Sequence, residues 1–317
     1  MNAAGLKYRL VPSIFLMLAS CAPIQAATEA TLPTPTQTKI SPSQTLPVLS
    51  TSTSTATPLP PTITSVPCDP LTADFCIIDG NFILQRPILP PANASVDISY
   101  RYGTTAKQAR DPHHGVEFMS KFGTPVHAAG DGEVVFAGLD EIAIYSPWRI
   151  FYGNVVVIRH ANELYTLYAH LSRIDVFAGQ QVMAGEKLGE IGQTGAAIGS
   201  HLHFEVRRGG DGTDYFSTEN PERWLIPKEG TGALSITLVT AREMKFERDI
   251  VISSDERLPI YVFTYTKGFE HNVEDAVITD LPAGIYKIAF YEMGVMYERQ
   301  VEVRAGQLTE TLFVAGQ

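Results

Sequence analysis

Seven of the eight histidines fall between positions 113 and 203, and five of those sit in three short segments. The first segment is Pro112-His113-His114-Gly115-Val116-Glu117. Read as extended after Pro112, it projects positions 113, 115 and 117 to one side. Gly115 places no side chain between the two candidate ligands, so His113 and Glu117 can converge on one ion. The second segment, His201-Leu202-His203-Phe204-Glu205-Val206, alternates as a strand does, with both histidines on one face and Leu202 on the core face. Two histidines at this spacing suit one zinc ligand and one partner for a reacting water. The third is Tyr168-Ala169-His170-Leu171, at the end of an expected hairpin, where a histidine taken alone is more often a surface residue. Imidazole and carboxylate donors are what catalytic zinc takes. With three protein ligands and an open position, it lowers the pKa of its water to about 7.

The frame around these segments, from about Ile77 to Leu225, reads as short strands and tight turns. Gly130-Asp131-Gly132 lies between Val126-His127-Ala128 and Val134-Val135-Phe136, which predicts a hairpin with an Asp-Gly turn. Gly153-Asn154 opens Val155-Val156-Val157-Ile158, and Ala161-Asn162 separates that run from Leu164-Tyr165-Thr166-Leu167-Tyr168, a second hairpin. Gly179-Gln180-Gln181-Val182 and Gly185-Glu186-Lys187-Leu188-Gly189 continue the rhythm. No stretch long enough for a full helix shows 3.6-residue periodicity, so the region is expected to be all-β. Asn220-Pro221-Glu222-Arg223-Trp224-Leu225 reads as a closing turn and Gly230-Thr231-Gly232 as a short linker. A second β module is expected beyond it from Tyr261, Phe263 and Tyr265, from Ala289-Phe290-Tyr291, and from Val301-Glu302-Val303.

Together, the three histidine segments resemble the lysostaphin-type (LytM-like) zinc metallopeptidases in order and approximate spacing. That family has His-x-Gly-x-Asp, then a His flanked by tyrosine or small residues, then His-x-His leading into an apolar strand. The frame matches as well, in Gly123-Thr124-Pro125-Val126, Asp131-Gly132, Gly192-Gln193-Thr194-Gly195 and Gly199-Ser200, over roughly residues 98 to 225. The resemblance implies an all-β, LytM-type antiparallel core and one zinc per chain held by His113, Glu117 and His203. It implies His170 and His201 as catalytic residues flanking the bound water. One would take the proton and the other would stabilise the oxyanion, with the assignment left open. His114, His127 and His160 are read as structural, and His271 as a surface residue. Glu117 stands where the family usually has Asp, which keeps the carboxylate but adds a methylene. A stretch from about Asp140 to Phe151, with Pro147-Trp148, exceeds the compact family pattern and is expected to form a loop beside the groove.

The implied activity is that of a zinc-dependent endopeptidase on peptide stems or cross-bridges of peptidoglycan. The alternative is a catalytically inactive LytM-like regulator that binds or activates another cell-wall hydrolase. Retention of all five site positions weighs toward the enzyme. At the C-terminal end, Asp280-Leu281-Pro282-Ala283-Gly284-Ile285-Tyr286 resembles the turn and strand of small prealbumin-like or carboxypeptidase-regulatory-like β sandwiches. A β-sandwich-like accessory domain with an envelope protein partner is expected there.

The N-terminus reads as an export signal, with Lys7 and Arg9 before an apolar run from Leu10 to Ala19. That run is shorter than the roughly 20 residues a membrane span needs. Leu18-Ala19-Ser20-Cys21 resembles a bacterial lipobox, which implies cleavage before Cys21 and lipid on its thiol. The competing site follows Ile24-Gln25-Ala26. From about Ala27 to Pro67 the chain is dominated by Thr, Pro and Ser and reads as an extended tether. With Cys21 lipidated, Cys68 and Cys76 remain in an oxidising compartment and are expected to form a disulfide. A formal net charge of -10 without any basic run argues against nucleic acid as a partner. The expected organisation is a signal peptide (1–20), tether (21–67), metallopeptidase domain (68–228) and accessory domain (229–317). The chain is placed at the cell envelope, outside the cytoplasm and lipid-anchored to the membrane.

Overall fold

A computed structural model describes residues 68–105 and 109–316; the expected signal peptide, Cys21 and the whole tether lie outside them. Strands β1 (Cys76–Ile78), β2 (Val116–Met119), β3 (Pro125–His127), β4 (Gly132–Leu139), β5 (Asn154–Arg159) and β6 (Leu164–Ala169) come first. Next are β7 (Leu171–Ile174), β8 (Gln181–Val182), β9 (Lys187–Ile191), β10 (His201–Arg208), β11 (Thr218–Glu219) and β12 (Thr231–Thr240). The series ends with β13 (Asp249–Ser254), β14 (Arg257–Phe263), β15 (Ala276–Pro282), β16 (Gly284–Glu292), β17 (Val295–Val303) and β18 (Leu308–Ala315). Among the described residues the only helical pieces are two 3-10 turns, Ala161–Glu163 and Pro221–Arg223, so the described part is all-β as expected.

A seven-stranded sheet in the order β11-β10-β6-β5-β4-β8, with β2 also paired to β10, carries the histidine segments. Both of its faces are covered, and the alternation along β5 shows how. Val156 and Ile158 enter a core with Phe118, Tyr168, Leu202 and Phe204. Val155 and Val157 enter another with Tyr145, Tyr152, Leu167 and Tyr215. Each such side chain contributes about 1.5–3 kcal/mol on burial, which favours an apolar run with no polar face to spare. The expected second hairpin is this β5–β6 pair, with Asn162 and Glu163 in the left-handed region at its turn.

The hairpin expected at Asp131-Gly132 does not form. Strand β3 pairs with β9 in a separate three-stranded sheet, β3-β9-β7, whereas β4 pairs with β5 and β8. A two-residue Asp-Gly hairpin turn needs positive φ at both central residues, and neither Asp131 nor Gly132 adopts it. The backbone of Ala128 bonds instead to Glu186 and Gly185, and the chain changes sheets.

The C-terminal strands form two four-stranded sheets, β1-β18-β12-β15 and β14-β13-β16-β17. They close over a shared core of Leu234, Ile236, Ile252, Ile288, Phe290 and Phe313. The expected linker Gly230-Thr231-Gly232 is another correction: Thr231 and Gly232 already belong to β12, and a Cβ at Gly232 would lie 2.2 Å from the Arg304 carbonyl. Strand β1 comes from the span assigned by sequence to the peptidase part, yet it pairs with β18 at the edge of a C-terminal sheet. Cys76 in β1 is disulfide-bonded to Cys68. Tyr265, expected as the last of an alternating strand, lies beyond β14 and packs on Tyr102 and Phe269 in the larger core.

Candidate metal centre and active-site cleft

Strand pairing brings the three histidine segments to one place. β2 lies antiparallel to β10 with Glu117 opposite His203, and β6 lies on the other side of β10 with Ala169 opposite His203. His170 follows directly after β6 and takes a left-handed backbone with φ of 63°. Such a conformation costs a non-glycine residue on the order of 1–3 kcal/mol and persists where surroundings fix it. Here its N–H donates to the Tyr152 carbonyl at 2.9 Å, and its ring Nδ1 bonds the Thr194 carbonyl at 2.9 Å.

His113 Nε2, His203 Nδ1 and Glu117 Oε1 form a nearly equilateral triangle. His113 and His203 are 3.2 Å apart, and each is 3.0 Å from the carboxylate oxygen. Donor atoms about 2.0–2.1 Å from a tetrahedral zinc stand about 3.3 Å from one another, so this is close to one face of such a site. The other ring nitrogens fix the orientation. His113 Nδ1 lies 3.3 Å from the Arg101 carbonyl, and His203 Nε2 donates to Glu205 Oε1 at 2.9 Å. The lone pairs of His113 Nε2 and His203 Nδ1 are thereby turned toward the same point. Glu117 Oε2 is buried without a hydrogen-bond partner, 3.3 Å from His201 Nε2. Converging lone pairs beside an unsatisfied carboxylate oxygen fit a cation.

The electrostatics agree. Burial disfavours charge on Glu117, but His203 and the hydrogen bonds from His113 and His203 outweigh it and hold its carboxyl well below the usual range. Burial likewise opposes a charged His203, yet Glu117 and Glu205 lift its pKa to about 10. The carboxylates of Glu117 and Glu205 thus favour a positive charge beside them. His170 differs: burial, reinforced by His203, lowers its pKa to about 3 and leaves a neutral ring.

Gly115 has a more specific part than the sequence suggests. A Cβ there would lie 2.6 Å from the Phe204 carbonyl and 2.7 Å from His203 Cε1, so its absence makes room for the His203 ring and the β10 backbone. His170 and His201 stand beside the triangle with ring centroids 5.0 Å apart, and His201 Nδ1 is 3.2 Å from the Gly199 carbonyl. All five residues of the expected site are thus brought together. Tyr100 stacks on His113 with centroids 4.0 Å apart.

A cleft runs past the triangle with about 450 Å³ on either side. One half is bordered by Met119, Ala196 and Ile198, and the other by Trp148, Phe151 and Tyr215. Trp148 and Phe151 belong to the segment between β4 and β5, so the expected loop does lie beside the groove. His114 is buried against Tyr215 and bonds Thr218 Oγ1 at 2.9 Å, and burial lowers its pKa to about 4. His160 bonds the Asp131 carbonyl and Thr166 Oγ1, His127 lies in β3, and exposed His271 bonds the Thr218 carbonyl.

Sequence reasoning missed Glu205, Arg207 and Tyr152. Glu205 Oε1 takes hydrogen bonds from His203 and from the Tyr152 hydroxyl at 2.5 Å, and Arg207 Nε donates to Glu205 Oε2 at 2.8 Å. A carboxylate behind a ligand histidine fixes its tautomer and raises its basicity. The signal was available, since positions 201, 203, 205 and 207 share one face of a strand and all carry titratable groups.

Residues 111–215, a third of the chain, match Peptidase family M23. The chain is 38% identical over 118 residues to the peptidoglycan DD-endopeptidase ShyA of Vibrio cholerae, covering 37% of this chain and 25% of that protein. It is 40% identical over 109 residues to the DD-carboxypeptidase/endopeptidase Mpg of Neisseria gonorrhoeae, covering 34% of this chain and 23% of that protein. It thus spans about a quarter of the length of these relatives. Among solved structures, the catalytic domain of the antimicrobial peptidase lysostaphin from Staphylococcus simulans is similar at 29% identity, covering 36% of this chain and 78% of that one, with a TM-score of 0.31. The span that matches Peptidase family M23, residues 111–215, contains the triangle, both neighbouring histidines and the aromatic half of the cleft.

Proposed function

We propose that this chain is a zinc-dependent endopeptidase that cleaves peptide stems or cross-bridges of peptidoglycan. The observation that carries the reading is the triangle of His113, Glu117 and His203 with two further histidines beside it on an open cleft. The endopeptidase names of its relatives supply the substrate class. His113, Glu117 and His203 would hold one zinc. When bound, zinc polarises the scissile carbonyl and lowers the pKa of water to about 7. The protein's own part is to orient the peptide along the cleft and to move one proton. Of His170 and His201, one accepts the proton of the attacking water and the other hydrogen-bonds the oxygen on which charge develops. The peptidase part works outside the cytoplasm, tethered through residues 21–67 to a lipid on Cys21. The C-terminal sandwich is an accessory domain that meets an envelope protein.

The test is metal analysis of the full chain after zinc is supplied, with digestion of purified wall material and mass determination of the fragments. One zinc per chain and fragments cut within peptides are expected, with Cys21→Ala released from membranes. Zinc-loaded protein that leaves every wall preparation uncut overturns the enzyme and leaves the regulator. A Cys21→Ala chain that stays membrane-bound overturns the anchor.

A further inference from the structure

Arg207 is the largest fully buried side chain among the described residues, 1% exposed, at the far end of the row that begins with His201. Its guanidinium serves two groups of partners. Toward the ligand cluster, Nε donates to Glu205 Oε2 at 2.8 Å, and Glu205 in turn holds His203. Nη2 lies 2.7 Å from the same Glu205 oxygen and donates at 2.9 Å to the Tyr152 hydroxyl, which also bonds Glu205; away from the cluster, Nη2 donates to the Tyr145 carbonyl at 2.8 Å and Nη1 to the Gly212 carbonyl at 3.0 Å. Tyr145 belongs to the segment between β4 and β5 that carries Trp148 and Phe151, and Gly212 to the segment between β10 and β11 that carries Tyr215. Trp148 and Phe151 both meet the Tyr215 ring edge-on, at 5.6 and 6.5 Å between centroids, and all three line the cleft beside His113 and His203.

Neutralising Glu205 requires one cation. Bonding two separate loop carbonyls as well requires the planar fork of arginine. We infer that Arg207 is a positioning residue that locks the aromatic wall of the cleft to the orientation of His203, and so sets where a bound peptide lies relative to the ligand cluster. That the wall receives peptide rests on the function proposed above; the mechanical coupling does not.

The coupling is tested in the full chain carrying Trp224→Phe, which leaves Trp148 as the single tryptophan of the two in the sequence. Three quantities are read: Trp148 emission, zinc affinity by competition with a chelator, and KM against kcat on a wall peptide. Arg207→Lys keeps a cation beside Glu205 but cannot fork to both carbonyls. It should shift Trp148 emission to the red, raise KM and lower kcat so that kcat/KM falls at least about tenfold, as misplacement of a bound substrate does, with zinc affinity nearly unchanged. Arg207→Gln should in addition weaken zinc binding about 10–100-fold, as loss of an outer partner of a ligand does. Should Arg207→Gln fail to fold, Tyr152→Phe, which removes the hydroxyl shared by Glu205 and Arg207 but keeps the ring, should show smaller losses in the same readouts. If Arg207→Lys lowers thermal stability but leaves Trp148 emission and KM at wild-type values, Arg207 is merely structural and the inference is wrong. If no wall peptide is cut at all, the function proposed above fails, while emission and zinc affinity still decide the coupling.

Discussion

Strands β10 and β16 are both interior strands of antiparallel sheets, but they bury their side chains on opposite plans. Along β16, Tyr286, Ile288 and Phe290 point into the sandwich core, while Ile285, Lys287 and Tyr291 are exposed. Along β10, seven of eight residues are buried, and one face consists of His201, His203, Glu205 and Arg207. The sandwich strand is stabilised by transfer of apolar surface from water, and its polar groups stay hydrated. The β10 row cannot use water, and burying such groups without partners would cost several kcal/mol. It is tolerated because its members find partners: His203, Glu205 and Arg207 are bonded in series, with Glu117 of β2 joined to His203, and His201 bonds the Gly199 carbonyl. The difference separates a part of the molecule built for stability from one in which stability depends on a connected polar network.

Substitutions sharpen that comparison, beginning with the largest effect. His203→Ala interrupts the network at its centre and leaves Glu117 and Glu205 facing a gap. Zinc affinity should fall by more than the ~10–100-fold that loss of an outer partner costs, as read by competition with a chelator. His201→Ala removes a residue beside the triangle rather than from it. Turnover on wall peptides should drop about 10²–10⁴-fold with zinc retained, and turnover equal to wild type would remove His201 from the mechanism. In the sandwich the signs reverse. Ile288→Ala, at a position with no solvent exposure, should cost about 2–5 kcal/mol in denaturant unfolding and leave zinc affinity untouched. A parallel loss of zinc would show that the two regions are not separable in this way. Smallest of all, Leu258→Ser on β14, at a residue 89% exposed, should change stability by no more than about 0.5 kcal/mol.

The site was more legible than the fold around it, because ligand chemistry leaves a local trace. His113, Gly115 and Glu117 stand two apart, as do His201 and His203, and period-two spacing on extended chain puts them on one face whatever the rest of the molecule does. Strand pairing was harder. Gly130-Asp131-Gly132 carries the residues of a hairpin turn, but whether a turn joins paired strands depends on what each flanking strand can bury, and here β3 finds β9 and β4 finds β5. Gly232 looked like a linker because a glycine's need for close backbone approach cannot be told from its use in a flexible turn until the neighbouring carbonyl of Arg304 is in place.

The sequence by itself therefore determined the β character of the described residues and the one-face spacing of His113 with Glu117 and of His201 with His203. These follow from spacing and residue type, which are local properties. Only the tertiary structure decided which sheet each short strand joins, that β1 completes a C-terminal sheet, and that Glu205, Arg207 and Tyr152 stand behind His203. Those depend on contacts between residues far apart in the chain. Their cost or benefit is set by burial and hydrogen bonding at the meeting point, not by either segment alone.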